Sequence, residues 1–287
     1  MLPQTWLKSG TYIRYRKHQI FTQSSGTGPV LLLLHGFPTS SWDWSLIWDQ
    51  LATHYRLIAF DFLGFGYSDK PKQFPYSIQE QANISEQVLE HYQVDKYSIL
   101  AHDYGNSVAQ ELLARSLESS QMSLQALCFL NGGLFPETHK PLLVQKLLMS
   151  PLGVLVGRFL NQQQLERNFQ RIFGPNSQPS PTQIQHFWEQ IAFNDGVAVA
   201  HLLIQYMRER KHHRSRWVGA LQQALIPIRL IDGLKDPISG AHLVDRYREL
   251  VPNPDVISLT HIGHYPQLEA PEEVICHVLE FFSGKKA

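Results

Sequence analysis

Five continuous apolar runs, each closed by turn residues, constrain this chain more than any other feature: Val30–Leu34, Leu57–Phe60, Tyr97–Ala101, Leu124–Leu130 and Ile228–Ile231. A strand with water on one face alternates apolar and polar residues. An unbroken apolar strand is buried on both faces, as in a parallel sheet covered by helices. Helical patterns from Ile78 to Tyr92 and from Ser107 to Arg115 separate the runs, which predicts crossover connections and an open sheet with helices on both sides. Ahead of them, Thr11 to Arg16 alternates as a half-exposed strand does, and His18 to Thr22 is placed to pair with it. Ligands of such sheets bind beyond the carboxyl ends of the strands, so the chemistry is expected in the residues that follow each run.

The alternation stops between about Phe135 and Ala220, where helix follows helix with Gly174-Pro175 and Pro179-Ser-Pro181 as punctuation, and the buried-strand pattern returns at Ile228. The expectation is an α/β core, a mostly parallel eight-stranded sheet formed by residues 1–134 and 221–287, with a helical cap of residues 135–220 inserted after the sixth strand. With 43% hydrophobic and 17% charged residues among 287, the chain can fill such a core. The formal net charge of zero gives no global field that favours nucleic acid. Cys128 and Cys276 read as two buried thiols rather than a disulfide. The N-terminus lacks a charged leader followed by an apolar stretch, and Val30–Leu34 is too short to span a bilayer. A cytoplasmic protein without stable membrane insertion is expected, its oligomeric state left open. Gly64-Phe-Gly66 lacks the helix start of a dinucleotide fingerprint. The basic run from Arg208 to Arg216 reads as a solvated face of the cap. No Cys/His spacing suits zinc, and no metal or cofactor is expected.

Three segments that follow strands carry chemistry. In Leu100-Ala-His-Asp-Tyr-Gly-Asn106, Ala101 and Gly105 flank Asp103 at −2 and +2, the small–x–nucleophile–x–small pattern of a sharp strand-to-helix turn. Such a turn exposes its central side chain and aims the helix N-terminus at any anion formed there. With Asp at the centre, the implied reaction is attack by a carboxylate on an electrophilic carbon to give an ester. The same Asp would also suit a plain helix N-cap. His35-Gly-Phe-Pro-Thr39 follows Val30–Leu34, so the backbone N–H groups of Phe37 and Tyr104 are the expected oxyanion hole. His264, in Gly263-His-Tyr-Pro266, is the expected general base, oriented by Asp236 of Asp232-Gly-Leu-Lys-Asp-Pro237. Asp232 competes with Asp236 but sits at the strand end. His261 lacks the glycine context, and His102 is expected to face the sheet. The order nucleophile, acid, histidine is that of the α/β-hydrolase fold.

With those segments in view, the chain resembles the epoxide hydrolase and haloalkane dehalogenase branch of the α/β-hydrolase superfamily, and more narrowly the mesoderm-specific transcript protein family. The narrower likeness runs through His35-Gly-Phe-Pro-Thr-Ser-Ser41, Asp61-Phe-Leu-Gly-Phe-Gly66, His102-Asp-Tyr-Gly105, Asn131-Gly-Gly133, Phe135-Pro-Glu-Thr-His139, Arg216-Trp-Val-Gly-Ala220 and His264-Tyr-Pro-Gln-Leu-Glu269. The resemblance implies two rival reactions. Haloalkane dehalogenases cradle the halide with side-chain donors at the positions held here by Tyr104 and Phe37, and both donors are missing. Epoxide hydrolases carry His-Gly-Phe-Pro, as this chain does, and use cap tyrosines to support the opening oxygen. Tyr206 fits that role. The segment that usually bears the second tyrosine offers Phe169 and Phe173 instead. The reading is therefore hydrolysis of a small apolar epoxide, in a cleft lined by Phe37, Trp42, Tyr104, Phe135 and Trp188. Carbon–halogen hydrolysis, or a non-catalytic ligand-binding descendant of the fold, are the alternatives.

Overall fold

A computed structural model describes residues 1–118 and 122–284. Eight strands form one sheet: β1 (Thr11–Tyr15), β2 (His18–Ser25), β3 (Val30–Leu34), β4 (Arg56–Phe60), β5 (Lys96–Ala101), β6 (Ser123–Phe129), β7 (Ile228–Gly233) and β8 (Asp255–Leu259). Their order is β1-β2-β4-β3-β5-β6-β7-β8. The β1·β2 and β2·β4 pairs are antiparallel, and every other pair is parallel. All the expected strands are present. The first two differ most from expectation, because β2 continues to Ser25 to pair with β4.

The apolar runs are continuous because each strand feeds two cores. Leu32, Leu34, Ile58 and Phe60 pack on one face of the sheet with the helix Ile78–His91 and the helix Tyr104–Glu118. Leu31, Leu33, Leu57 and Ala59 pack on the other face with Trp6, Trp44 and the closing helix Pro271–Phe282. Alternate residues point to opposite faces, so both sets must be apolar. Cys128 is buried, but Cys276 is exposed. The closing helix turns its Val274, Ile275 and Val278 inward, which puts Cys276 on its solvent side and corrects the expectation of two buried thiols.

Between β6 and β7 there are helices and no strand among the described residues, including Leu143–Met149, Gly153–Arg158, Gln162–Ile172, Pro181–Ala192, Tyr206–His212 and Arg214–Gln223. No helix of the described residues is long and apolar enough to cross a membrane.

The small residue after Asp103 is required by contact. A Cβ on Gly105 would lie 2.2 Å from the Leu34 carbonyl oxygen, because the helix Tyr104–Glu118 starts directly against the end of β3, where Gly105 N–H donates to His35 O. The clash is with backbone, which cannot move aside. Gly105→Ala is therefore expected to cost about 1–3 kcal/mol in urea unfolding, and a loss below about 0.5 kcal/mol would contradict the close approach.

Candidate functional site

β5 ends at Ala101, and the chain turns into the helix Tyr104–Glu118 through Asp103, whose φ of 45° lies in the left-handed region. The turn is held from both sides. Asp103 N–H donates to Asn131 O (2.8 Å) and His102 N–H to Leu34 O (2.9 Å). The Asp103 side chain does not cap its own helix. Its Oδ2 accepts from the Phe37 N–H at 3.0 Å. Tyr104 N–H, at the first position of the helix, has no partner within the helix.

β7 and β8 deliver the other two groups. His264 Nδ1 and Asp236 Oδ2 are 2.6 Å apart, and His264 Nε2 stands 4.0 Å from Asp103 Oδ1. Asp236 is fixed by four further donors: the N–H groups of Ile238 and Ser239, the Ser239 hydroxyl, and Asn131 Nδ2. The histidine loop is fixed by Glu269, which accepts from the N–H groups of Gly263, Tyr265 and Gly174. Asp232 is buried with both carboxylate oxygens unpartnered. Burial, then the neighbouring Asp236 charge, push its pKa well above the usual carboxylate range, and His264 Nδ1 is bonded to Asp236 instead. His102 is buried under the pair, its Nε2 bonded to His264 O, and burial lowers it to about 4.

One nearby group had no signal in the sequence. Arg210 lies in the basic run read as a solvated face, yet it is 2% exposed. Its Nε donates to the Ser107 hydroxyl (2.7 Å) and its Nη2 to Asp103 O (3.3 Å), and Nη2 is 3.8 Å from Asp103 Oδ1. Its guanidinium also covers the Tyr206 ring. A buried cation needs a buried anion, and here that anion is the elbow carboxylate. Period and composition do not reveal this pairing, because it joins residues 107 positions apart in sequence.

The charges explain the proton affinities. Burial would raise the Asp103 carboxyl, but His264, Arg210, His102 and the Phe37 N–H together hold it below its usual value. Burial opposes ionisation of Asp236 too, yet the His264 charge and its hydrogen bonds bring it to about 2. For His264, burial favours the neutral ring, but the Asp236 charge and hydrogen bond, followed by the Asp103 charge, raise it to about 9. At neutral pH the resting site thus holds two carboxylates, an imidazolium and a guanidinium, and is close to electrically neutral.

A cavity of about 100 Å³ opens in front of Asp103 and His264, walled by Phe37, Trp188, Leu148, Leu165, Phe169 and Tyr265 among others. Of the five expected lining side chains, Phe37 and Trp188 line it; Trp42, Tyr104 and Phe135 do not. Trp42 is edge-on to Phe187 with its Nε1–H on Met1 O. Tyr104 is packed among Phe62, Phe65 and Tyr206, and Phe135 against Tyr247. All three rings are taken up by aromatic packing away from the opening. Tyr206 is 1% exposed, its ring 6.2 Å from that of Phe37. Its hydroxyl is buried without a hydrogen-bond partner and lies outside the cavity wall. Where a cap tyrosine was missing, Phe169 and Phe173 pack on the ring of Tyr265, another buried phenol without a partner, and this one lines the cavity. No cluster of three or more metal-ligating side chains occurs among the described residues.

The Asp103 charge helps Asp236 to raise the His264 imidazole, so removing that charge is expected to lower the imidazole titration. In NMR the His264 ring should titrate near 9 in the wild type and at a lower pH in Asp103→Asn, where more of it is neutral at pH 7. An unchanged midpoint would disprove the coupling.

A family model described as "Alpha/beta hydrolase family" matches residues 31–275. The mesoderm-specific transcript homolog protein of Bos taurus is 45% identical over 280 residues, covering 93% of this chain and 84% of that protein. The putative hydrolase LipZ of Mycobacterium tuberculosis is 39% identical over 269 residues, 93% of each chain. Among solved structures, a haloalkane dehalogenase loop variant from Bradyrhizobium elkanii superposes with a TM-score of 0.80 at 20% identity, covering 96% of each chain. With its sheet order, its strand-end elbow and these matches, the chain belongs to the alpha/beta hydrolase family and is a relative of the mesoderm-specific transcript proteins.

Proposed function

We propose that the chain is a hydrolase whose nucleophile is Asp103, acting through a covalent ester and opening small apolar epoxides. One observation carries the reading: an ionised carboxylate at a strained turn, with one oxygen bonded to a backbone N–H, the other facing a paired imidazole 4.0 Å away, and an apolar cavity in front. A serine hydrolase would need a hydroxyl there.

The two carboxylate oxygens take different roles in this reading. Oδ1 attacks a ring carbon, the C–O bond breaks, and its electron pair passes to the epoxide oxygen, which takes a proton from the Tyr206 phenol. His264 gives its resting proton through solvent to the tyrosinate, and the neutral imidazole then removes a proton from water. The resulting hydroxide adds to the ester carbon of Asp103, and the charge developing on Oδ2 is held by the Phe37 and Tyr104 N–H groups. Collapse expels the alkoxide, which takes the remaining hydroxide proton to give the diol, and this restores the carboxylate and leaves His264 protonated as it began. The net change is addition of one water.

Timing follows from charge. In the resting site His264 is mostly protonated at pH 7, which supports the anion before attack. Ester formation removes the Asp103 charge and leaves Arg210 unopposed, and both changes lower the proton affinity of His264 when a base is needed. Residues 135–220 act as the cap in this reading. The cavity is smaller than the usual 300–1,000 Å³ of ligand sites, so all but the smallest substrates require the cap helices to part.

Epoxide opening is favoured over carbon–halogen cleavage because an alkoxide needs a proton and a halide does not. The unpartnered phenol of Tyr206, on the ring covered by the Arg210 guanidinium that pairs with Asp103, is the donor, brought to the substrate as the cap helices part, and the side chains at Phe37 and Tyr104 give no halide cradle.

A trapping experiment decides between them. His264→Gln, challenged with a panel of small epoxides and haloalkanes, is expected to accumulate an adduct on Asp103 by intact mass with epoxides. Adding Tyr206→Phe is expected to slow trapping about 10²-fold or more. Adducts with haloalkanes alone would transfer the assignment to dehalogenation, and none from any member would leave a binding role.

A further inference from the structure

The helices between β6 and β7 have an outward face that the hydrolytic reading does not use. Of the twelve large apolar side chains exposed among the described residues, six fall between Leu143 and Phe159: Leu143, Leu147, Leu152, Val154, Leu155 and Phe159. Phe159 is 72% exposed and Leu143 69%. Scattered exposed apolar residues need no explanation, but a cluster does. Leu143 and Leu147 lie one turn apart on the helix Leu143–Met149, while Val144 and Leu148 of the same helix line the cavity before Asp103. The helix thus has two apolar faces, one turned to the cavity and one to solvent.

The charge around this face is of one sign. From Thr138 to Leu165 the sequence contains no Asp or Glu, but it contains Lys140, Lys146 and Arg158. Beside the patch lies a cleft of about 340 Å³ whose charged lining residues are Lys146, Arg208, Arg210 and Lys211, with His139 and no carboxylate. Two acids adjacent in sequence to lining residues are engaged elsewhere: Glu209 accepts from the Ile78 N–H, and Glu137 is held by Arg214 and Arg246. In a chain of zero net charge, this is a local cationic surface. His139 Nε2, at the cleft wall, is buried without a partner.

We propose that the outward face of the helices Leu143–Met149 and Gly153–Arg158 docks peripherally on an anionic phospholipid bilayer. Leu143, Leu147, Leu155 and Phe159 enter the headgroup–acyl boundary, and a headgroup phosphate sits in the cleft lined by Lys146, Arg208 and Lys211. Apolar side chains beside lysines and arginines are the composition that binds anionic interfaces. Each cation near such a surface strengthens binding by about fivefold, and salt screens it. Docking is independent of the chemistry at Asp103. It gains a use if the proposed hydrolase reading holds, because the inner face of the same helix walls the cavity, so an apolar substrate dissolved in the bilayer would reach Asp103 without crossing bulk water.

Sedimentation of the full chain with sucrose-loaded vesicles tests the proposal. Binding is expected to phosphatidylcholine vesicles containing one-third phosphatidylglycerol, falling as salt rises, and not to phosphatidylcholine alone. Leu155→Asp/Phe159→Asp and Lys146→Glu/Lys211→Glu are each expected to weaken it by at least about tenfold. All four sites lie on the cap surface, and circular dichroism checks that both variants fold. Asp103→Asn is expected to bind vesicles like the wild type, so loss of docking and loss of hydrolysis are read separately. No sedimentation with either vesicle, or equal binding to both that salt does not change, would overturn the proposal. So would a dimer in lipid-free ultracentrifugation that Leu155→Asp/Phe159→Asp converts to monomer, which would assign the face to a second copy of the chain.

Discussion

The site depends on one backbone conformation. Asp103 holds φ at 45°, a region that costs a non-glycine residue roughly 1–2 kcal/mol and that Asp tolerates better than most. The cost is offset by close packing around the turn. The Asp103 N–H donates to Asn131 O, the helix behind it starts within contact of β3, and the Phe37 N–H donates to the carboxylate. Released from this turn, the carboxylate could swing back to cap the helix N-terminus that follows it, as Asp commonly does. Held there, it faces the cavity.

From that position the other charges follow. A buried carboxylate must be compensated, and compensation comes from two directions: His264 from β8 and Arg210 from the helix Tyr206–His212. Asp236 compensates the histidine in turn, and Asn131 joins the elbow to the acid by bonding Asp236, Gly233 O and Gly233 N with one side chain. The elbow, β6 and β7 are therefore connected through one residue, whose backbone carbonyl accepts from the Asp103 N–H and whose side chain bonds β7 and Asp236. Because Arg210 belongs to the helices outside the sheet, the charge balance of the nucleophile depends on how those helices are seated, and their displacement would alter its proton affinity directly.

Much of this was legible in the sequence because it is local. Unbroken apolar runs specify strands buried on two faces, and residues that follow a strand in a parallel sheet share one edge. Asp103, Asp236 and His264 could thus be brought together without knowing any contact between them, and Asp236 rather than Asp232 makes the bond to the histidine. What was not legible is what the helices between β6 and β7 bring. Arg210 stands in a basic run with Arg208 and Lys211, and only packing against Ser107 and Asp103 distinguishes it from its solvated neighbours. Trp42 and Tyr104 are covered by Phe187 and Tyr206 of these helices, and Phe135 by Tyr247 of the helix Ala241–Leu250, long-range contacts that no local pattern specifies. Cys276 was misplaced for a similar reason, since one residue of helical phase separates the buried from the exposed side of the closing helix.

The central claim is that a bond forms between Asp103 and substrate, and a single turnover in ¹⁸O-water with enzyme in excess tests it most directly. If Asp103 attacks and water then cleaves the ester at its carbonyl carbon, the first product carries unlabelled oxygen from the carboxylate, and the peptide containing Asp103 gains ¹⁸O. Label in the first product with none on Asp103 would mean that water attacks the substrate itself, and the nucleophilic role of the carboxylate would be disproved.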